Sequence, residues 1–107
     1  MSPGKIASQA GHAYLGAAVQ ADPNLLTEYH ADFPGSPGTK VCLQTDSVDK
    51  LNLALMKAQE AGIPHFLVID SGCENFHGGK PIITALGLGP ARRAEINHIT
   101  RKFKLVE

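Results

Sequence analysis

The chain has 107 residues and a mass of 11.3 kDa, with 43% hydrophobic and 19% charged residues. This length fits a single domain, residues 1–107, and the composition excludes a disordered, collagenous or coiled-coil chain. Ten basic residues balance ten acidic ones, so the net charge does not by itself indicate a nucleic-acid-binding protein. No apolar run approaches the roughly 18 residues of a membrane span, and no secretory signal pattern opens the chain, so we expect a cytoplasmic protein.

Two local distributions say more than these totals. Cys42 and Cys73 form no CxxC pair and have no histidine at zinc-finger spacing, so we expect two free thiols. Residues 80–107 carry two acidic residues against six basic ones, namely Lys80, Arg92, Arg93, Arg101, Lys102 and Lys104. This basic quarter is either a surface for an anionic partner or a solvated helix face.

Two proline-led helix starts open the chain. Ser2 can cap a helix whose first position is Pro3, and Asp22-Pro23 repeats the signal. The first half is therefore predicted to contain two helices, over residues 3–21 and 24–31, followed by a turn rich in proline and glycine at 33–38.

The second half alternates short apolar strands with helices. A helix capped by Ser47 has apolar residues at three- and four-residue spacing and ends at Gly62. The remaining predictions are strands at 41–45, 65–69 and 82–86, a loop at 71–79, a last helix from Gly89-Pro90 and an extended tail at 102–106. The second strand is apolar enough to be covered on both faces. This order predicts an α/β fold, a single-domain three-layer α/β/α structure with a small mixed β-sheet.

The first candidate site lies on the first helix. At about 100° per residue, Lys5, Gln9 and His12 share one stripe of the helix surface. The adjacent stripe is apolar and consists of Ile6, Ala10, Ala13 and Ala17. A cation in the first turn opposes the helix dipole, which suggests a use for the charge of Lys5. A solvated polar face with a histidine at its rim explains the same spacing, so both interpretations stay open.

Asp70 is the second candidate. It ends the apolar strand at 65–69 and precedes a glycine-rich loop, and the carboxyl ends of strands in α/β sheets border ligand-binding crevices. A carboxylate there can act as a general base or orient a water molecule. An aspartate that only caps the turn is the equally acceptable alternative.

The sequence gives little support for a metal site, a dinucleotide site or a cysteine nucleophile. The five histidines show no HxxxH or HxH spacing, so we expect no metal site. Gly87-Leu88-Gly89 lacks the GxGxxG pattern of a dinucleotide site, and no sequence feature activates Cys73 as a nucleophile.

Several segments resemble one known family. The segment Gly4-Lys5-Ile6-Ala7-Ser8-Gln9-Ala10-Gly11-His12-Ala13 is similar to the GKxAxQxxHA signature of the archaeal and eukaryotic (type 2) peptidyl-tRNA hydrolases. The other matching segments follow in the same order, namely 61–65, Asp70-Ser71-Gly72, 84–90, Ile99-Thr100 and Lys104-Leu105. The resemblance therefore extends over nearly the whole chain.

The resemblance implies a mixed-sheet α/β fold and hydrolysis of the ester that joins a peptide to tRNA, without metal or organic cofactor and often as a dimer. It places activity on Lys5, Gln9, Asp70 and Thr84. We expect Asp70 to activate or orient water, Lys5 to stabilise the oxyanion or a phosphate, and the other two to position substrate and water. Substrate contacts are expected from His12, Ser71, Lys80, Arg92 and Arg93.

Three departures from the family pattern define an alternative. Glu74 replaces a threonine, and the loop before Thr84 is two residues longer than usual. The family's first β-strand would precede Met1, so we expect it to lie outside this sequence or to be supplied by a partner. The alternative is a non-catalytic relative that binds a protein or another ligand through the altered loop at 71–81.

Overall fold

The computed structural model describes residues 2–30, 38–70 and 82–106. Its elements, in chain order, are α1 (Pro3–Gln20), α2 (Pro23–Tyr29), β1 (Leu43–Gln44), α3 (Val48–Ala61), β2 (His65–Asp70), β3 (Ile82–Leu88), α4 (Arg93–Thr100) and β4 (Lys104–Leu105). No helix in the described part of the chain is long and apolar enough to span a membrane.

The helix ends follow the predicted capping signals. The Ser2 side chain accepts a hydrogen bond from the backbone N–H of Lys5 at 3.2 Å, with Pro3 in the first turn. Ser47 caps α3 in the same way, and α3 ends at Gly62, whose φ of 69° is left-handed. These predictions are confirmed. Capping can be predicted from the sequence because it depends on residues only a few positions apart.

Other boundaries differ from the prediction. The strand predicted at 41–45 is reduced to Leu43–Gln44, and α2 ends at Tyr29 rather than near residue 31. The last helix begins at Arg93 rather than at Pro90. Gly89 has a φ of 97° and its N–H donates to the carbonyl of Pro64, so the chain turns at Gly89-Pro90 before the helix can start.

The strands form two antiparallel pairs. β2 pairs with β3, and β1 pairs with β4, which corresponds to the predicted extended tail. The α/β class is confirmed, whereas the mixed character of the sheet is not seen among the described strands, whose ladders are both antiparallel. Short local strand signals do not encode strand direction, because direction depends on how the connections run.

Helices cover the β2–β3 pair from both sides. A Cβ atom on Gly87 would overlap the backbone carbonyl of Ala13, so α1 lies directly on one face of β3. On the other face, Leu86 and Leu88 pack against a buried cluster from α3, α4 and the turn after α3, made of Ala54, Ala58, Ile63 and Ile99. This arrangement gives the predicted three layers.

The cover over β2 is incomplete. Phe66 is 38% exposed and Ile69 is 56% exposed, so the prediction that this strand is covered on both faces is wrong. Among the described strands, β2 pairs only with β3, so one of its edges has no neighbouring strand there. An outer strand keeps part of its apolar surface in contact with solvent even when its sequence is apolar throughout.

Candidate active site

An ion pair joins the start of α1 to the end of β2. Lys5 Nζ lies 2.7 Å from Asp70 Oδ2, and the two side chains are 35% and 13% exposed. The Oδ2 atom itself is out of contact with solvent. The Ser2 cap fixes the first turn of α1, and the β2 ladder fixes Asp70, so the backbone on both sides holds this pair in place.

A hydrogen bond joins the next turn of α1 to β3. Thr84 Oγ1 donates to Gln9 Oε1 at 2.8 Å, and the carbonyl oxygen of Val68 lies 3.4 Å from the same hydroxyl. Gln9 is only 6% exposed and shares the buried stripe of α1 with Ala13 and Ala17. The interpretation of a solvated polar face is therefore wrong for Gln9.

A β-bulge places Thr84 on the side of α1. Leu86 and Leu88 face α3 and α4, and simple alternation would point Thr84 the same way. The register instead shifts, because Val68 pairs with Ala85 and Ile69 pairs with Ile83, which leaves Thr84 as the extra residue. A bulge of this kind re-aims a side chain, and here the hydroxyl reaches Gln9.

The two contacts lie next to each other between one helix and one strand pair. Lys5 and Gln9 are one helical turn apart, and Asp70 follows Val68 by two residues on β2. The structure thus brings together a cation, a carboxylate, an amide and a hydroxyl from parts of the chain up to 79 residues apart in sequence. No three His, Cys, Asp or Glu side chains of the described segments form a group able to hold a metal ion.

Of the residues expected to contact substrate, His12, Arg92 and Arg93 lie in the described part of the chain, and none of the three takes part in the Lys5–Asp70 or Gln9–Thr84 contact. His12 on α1 and Arg93 at the start of α4 are both exposed to solvent. The loop at 71–81 falls outside the described residues, and with it Ser71, Cys73, Glu74 and Lys80.

Arg92 is held by two carboxylates. Its Nη2 atom donates to both oxygens of Glu28, at 2.7 Å and 3.0 Å, and its Nη1 atom lies 3.5 Å from Glu95. The bond to Glu28 and the two negative charges raise the pKa of Arg92 above its ordinary value. Sequence reasoning missed this partner because α2 and α4 are 64 residues apart along the chain.

Two features of the site had different sequence signals. A glycine inside the apolar strand at 82–88 indicates a close approach of another backbone, and Gly87 does meet α1 in this way. The bulge at Thr84 left no signal in the sequence, since it depends on the pairing register of β2 and β3.

An apolar groove lies beside the site on another side of α1. It has a volume of about 500 Å³, and its lining includes Ile6, Ala10, Tyr14, Cys42 and Val106. Burial and the neighbouring Cys42 thiol raise the pKa of Tyr14. Lys5, Gln9, Asp70 and Thr84 do not line this groove.

The fold and the paired side chains define a small α/β protein with a polar site between its first helix and an antiparallel strand pair. The family model described as peptidyl-tRNA hydrolase PTH2 matches residues 1–106. The chain belongs to this family.

Similar proteins come from archaea and from eukaryotes. A peptidyl-tRNA hydrolase of Methanothermobacter thermautotrophicus is 35% identical over 106 residues, which cover 99% of this chain and 89% of that protein. One from Methanopyrus kandleri is 33% identical, with 99% and 88% covered. A probable peptidyl-tRNA hydrolase 2 of Dictyostelium discoideum is 33% identical over 98% of this chain but only 49% of its own length.

Proposed function

We propose that this protein hydrolyses the ester bond between peptide and tRNA in peptidyl-tRNA and so releases tRNA for reuse. The match of the peptidyl-tRNA hydrolase family over residues 1–106 carries the proposal. The contacts Lys5–Asp70 and Gln9–Thr84 support it, because they place acid–base and hydrogen-bonding groups in one small area.

In the proposed mechanism, Asp70 orients a water molecule for attack on the ester carbonyl carbon. Lys5 holds this carboxylate in position from 2.7 Å and places a positive charge beside the reaction. That charge stabilises the oxyanion of the tetrahedral intermediate or a nearby phosphate group of the tRNA. The ester has a good leaving group, the ribose hydroxyl, so one base and one cation suffice for the reaction.

The partner in this proposal is tRNA, and the basic C-terminal quarter is its expected contact surface. Arg93, Arg101, Lys102 and Lys104 are all exposed. Arg92 is expected to contribute less than these residues, because a phosphate would have to compete with Glu28 and Glu95. The homodimer and the cytoplasmic location belong to the same proposal and rest on the family resemblance and the sequence.

The test measures release of the amino acid from an N-blocked aminoacyl-tRNA by the purified protein. We expect turnover by the parent chain and a loss of at least about 100-fold in Asp70→Asn and in Lys5→Ala, since each removes a charged group at the reacting bond. Asp49→Asn and Lys50→Ala are matched controls, because both residues are exposed in the first turn of α3.

Folding of every variant is checked by circular dichroism and thermal unfolding. An unchanged rate in folded Asp70→Asn would contradict the role of Asp70. No turnover by a folded parent chain would contradict the hydrolase function and favour a binding protein of the same family.

A further inference from the structure

The hydroxyl of Thr84 has one proton and two neighbouring acceptors. Gln9 Oε1 lies at 2.8 Å, which is an ordinary hydrogen-bond length, whereas the carbonyl oxygen of Val68 lies at 3.4 Å. The proton therefore goes to Gln9. The hydrogen bond occupies the oxygen end of the Gln9 amide and leaves the two N–H groups of Nε2 as donors.

The surroundings hold the Gln9 side chain in this orientation. Gln9 is 6% exposed, and its side chain lies at the interface of α1 with β3. Ala13 lies one turn further along the same buried stripe of α1. The bulge in β3 turns Thr84 toward Gln9, while the ladder pairs on either side of the bulge fix the backbone. A buried amide between fixed elements has little freedom to move. The Thr84 hydroxyl binds its oxygen, so the Nε2 end of the Gln9 amide faces the site.

We propose that Thr84 is a positioning residue, which acts through Gln9 and orients Nε2 as a hydrogen-bond donor to the ester carbonyl oxygen. The inference rests on the proposed function. Thr84 itself does not contact the substrate in this arrangement, which changes the direct catalytic role that the family resemblance assigns to it. Gln9 is the residue that contacts the reacting atoms.

The chemistry of the step is balanced without a cofactor. Water attacks the carbonyl carbon, the carbonyl oxygen becomes negatively charged, and the bond to the ribose oxygen then breaks. Of the two protons of the attacking water, one passes through the carboxylate of Asp70 to the leaving ribose oxygen, and the other is lost to solvent as the peptide acid ionises to a carboxylate. Gln9 transfers no proton, because it donates a hydrogen bond that strengthens as negative charge develops on the carbonyl oxygen.

A double-mutant cycle tests whether Thr84 acts through Gln9. Thr84→Val keeps the shape but removes the hydroxyl, and we expect kcat to fall by about 10- to 100-fold with little change in KM, as for a misplaced oxyanion donor. Thr84→Ser retains the hydroxyl and should keep kcat within about threefold of the parent, which a purely steric role would not produce. In a Gln9→Leu background, Thr84→Val should have less than about a twofold further effect.

Two outcomes of the cycle would overturn the inference. Losses from Thr84→Val and Gln9→Leu that multiply would mean that the two residues act independently. A folded Gln9→Glu variant with the parent rate would mean that an acceptor, not the Nε2 donor, faces the substrate. Thr27→Val is the control, since it also removes a hydroxyl that donates a hydrogen bond, in this case to the backbone carbonyl of Pro23 at the start of α2.

A second measurement does not depend on activity. The side-chain amide of Gln9 gives two proton signals in a ¹⁵N-correlated NMR spectrum, and we expect Thr84→Val to shift them while Thr84→Ser and Thr27→Val leave them near their parent positions. Unchanged Gln9 signals in Thr84→Val would overturn the positioning role. A folded parent chain without turnover would overturn the proposed function and, with it, the donor role of Gln9.

Discussion

The Lys5–Asp70 pair is only partly shielded from solvent, and this decides how each partner responds to removal of the other. The Asp70 side chain is 13% exposed, whereas the Lys5 side chain is 35% exposed. A lysine with this exposure can turn toward water when its partner is lost. The carboxylate of Asp70 has less access to water, so the pair is expected to respond asymmetrically.

Removal of Lys5 should therefore destabilise the fold more than removal of the Asp70 charge. We expect Lys5→Met to lower the free energy of unfolding by about 1–3 kcal/mol, the usual cost when a shielded polar group loses a charged partner. Asp70→Asn should cost less, and the double variant should recover part of the loss of Lys5→Met. Urea denaturation of the four proteins measures these values, and equal losses in both single variants would contradict the asymmetry.

At the scale of the element, α1 carries both Lys5 and Gln9, so its distance from the strands determines both contacts. A side chain on Gly87 would overlap the carbonyl oxygen of Ala13, and a side chain on Gly16 would overlap the ring of Phe66. These two glycines allow α1 to lie close to β2 and β3. The close packing brings Gln9 within 2.8 Å of Thr84.

Gly87→Ala should move α1 away from β3 and affect both stability and activity. We expect a loss of about 1–3 kcal/mol in the free energy of unfolding, since an added methyl group meets backbone rather than a flexible side chain. The hydrolysis rate should fall as well, because the hydrogen bond between Gln9 and Thr84 spans the same interface of α1 with β3. Urea denaturation and the hydrolysis assay measure the two effects.

Gly11→Ala is the matched control for this substitution. Gly11 is exposed on α1, and nothing lies within 4 Å of the position of its Cβ atom. Alanine in an exposed helix position should stabilise the fold by about 0.5–1 kcal/mol and leave the hydrolysis rate unchanged. Similar stability losses in Gly87→Ala and Gly11→Ala would contradict the close approach at Gly87.

At the scale of the whole molecule, the net charge is zero, yet the charges are unevenly distributed. The exposed basic residues after β3 face a polyanionic substrate if the proposed function is correct. Binding to tRNA would then depend on a local basic surface rather than on the overall charge. Such binding releases counterions from the tRNA and weakens as salt concentration rises.

The affinity for tRNA should fall with salt in proportion to the number of phosphate contacts. The slope of log K against log salt is negative. We expect Arg101→Gln and Lys104→Gln each to make it less steep by the contribution of about one phosphate contact. Lys50→Gln and Lys57→Gln on α3 are the controls and should leave the slope unchanged. Filter binding or fluorescence anisotropy between 50 and 200 mM salt, roughly the range in which such contacts weaken, measures it. Equal slopes in all five proteins would exclude the C-terminal residues as the phosphate-binding surface.

Local signals in the sequence were sufficient for much of the fold. Ser2, Ser47 and Gly62 mark helix ends correctly, because each acts on backbone groups within a few residues. The last helix was placed too early because a proline after glycine is compatible with either a helix start or a turn. The hydrogen bond from Gly89 to Pro64, which favours the turn, comes from a distant part of the chain.

The sequence by itself determined the helices, the apolar strands, the α/β class and, through its motifs, the family. The tertiary structure alone decided that the described strands pair antiparallel, that β3 contains a bulge at Thr84, and that Glu28 holds Arg92. The physical reason is one of range. Caps and turns depend on neighbouring residues, whereas the contact between Gln9 and Thr84 joins residues 75 positions apart and depends on strand register and on how closely α1 packs.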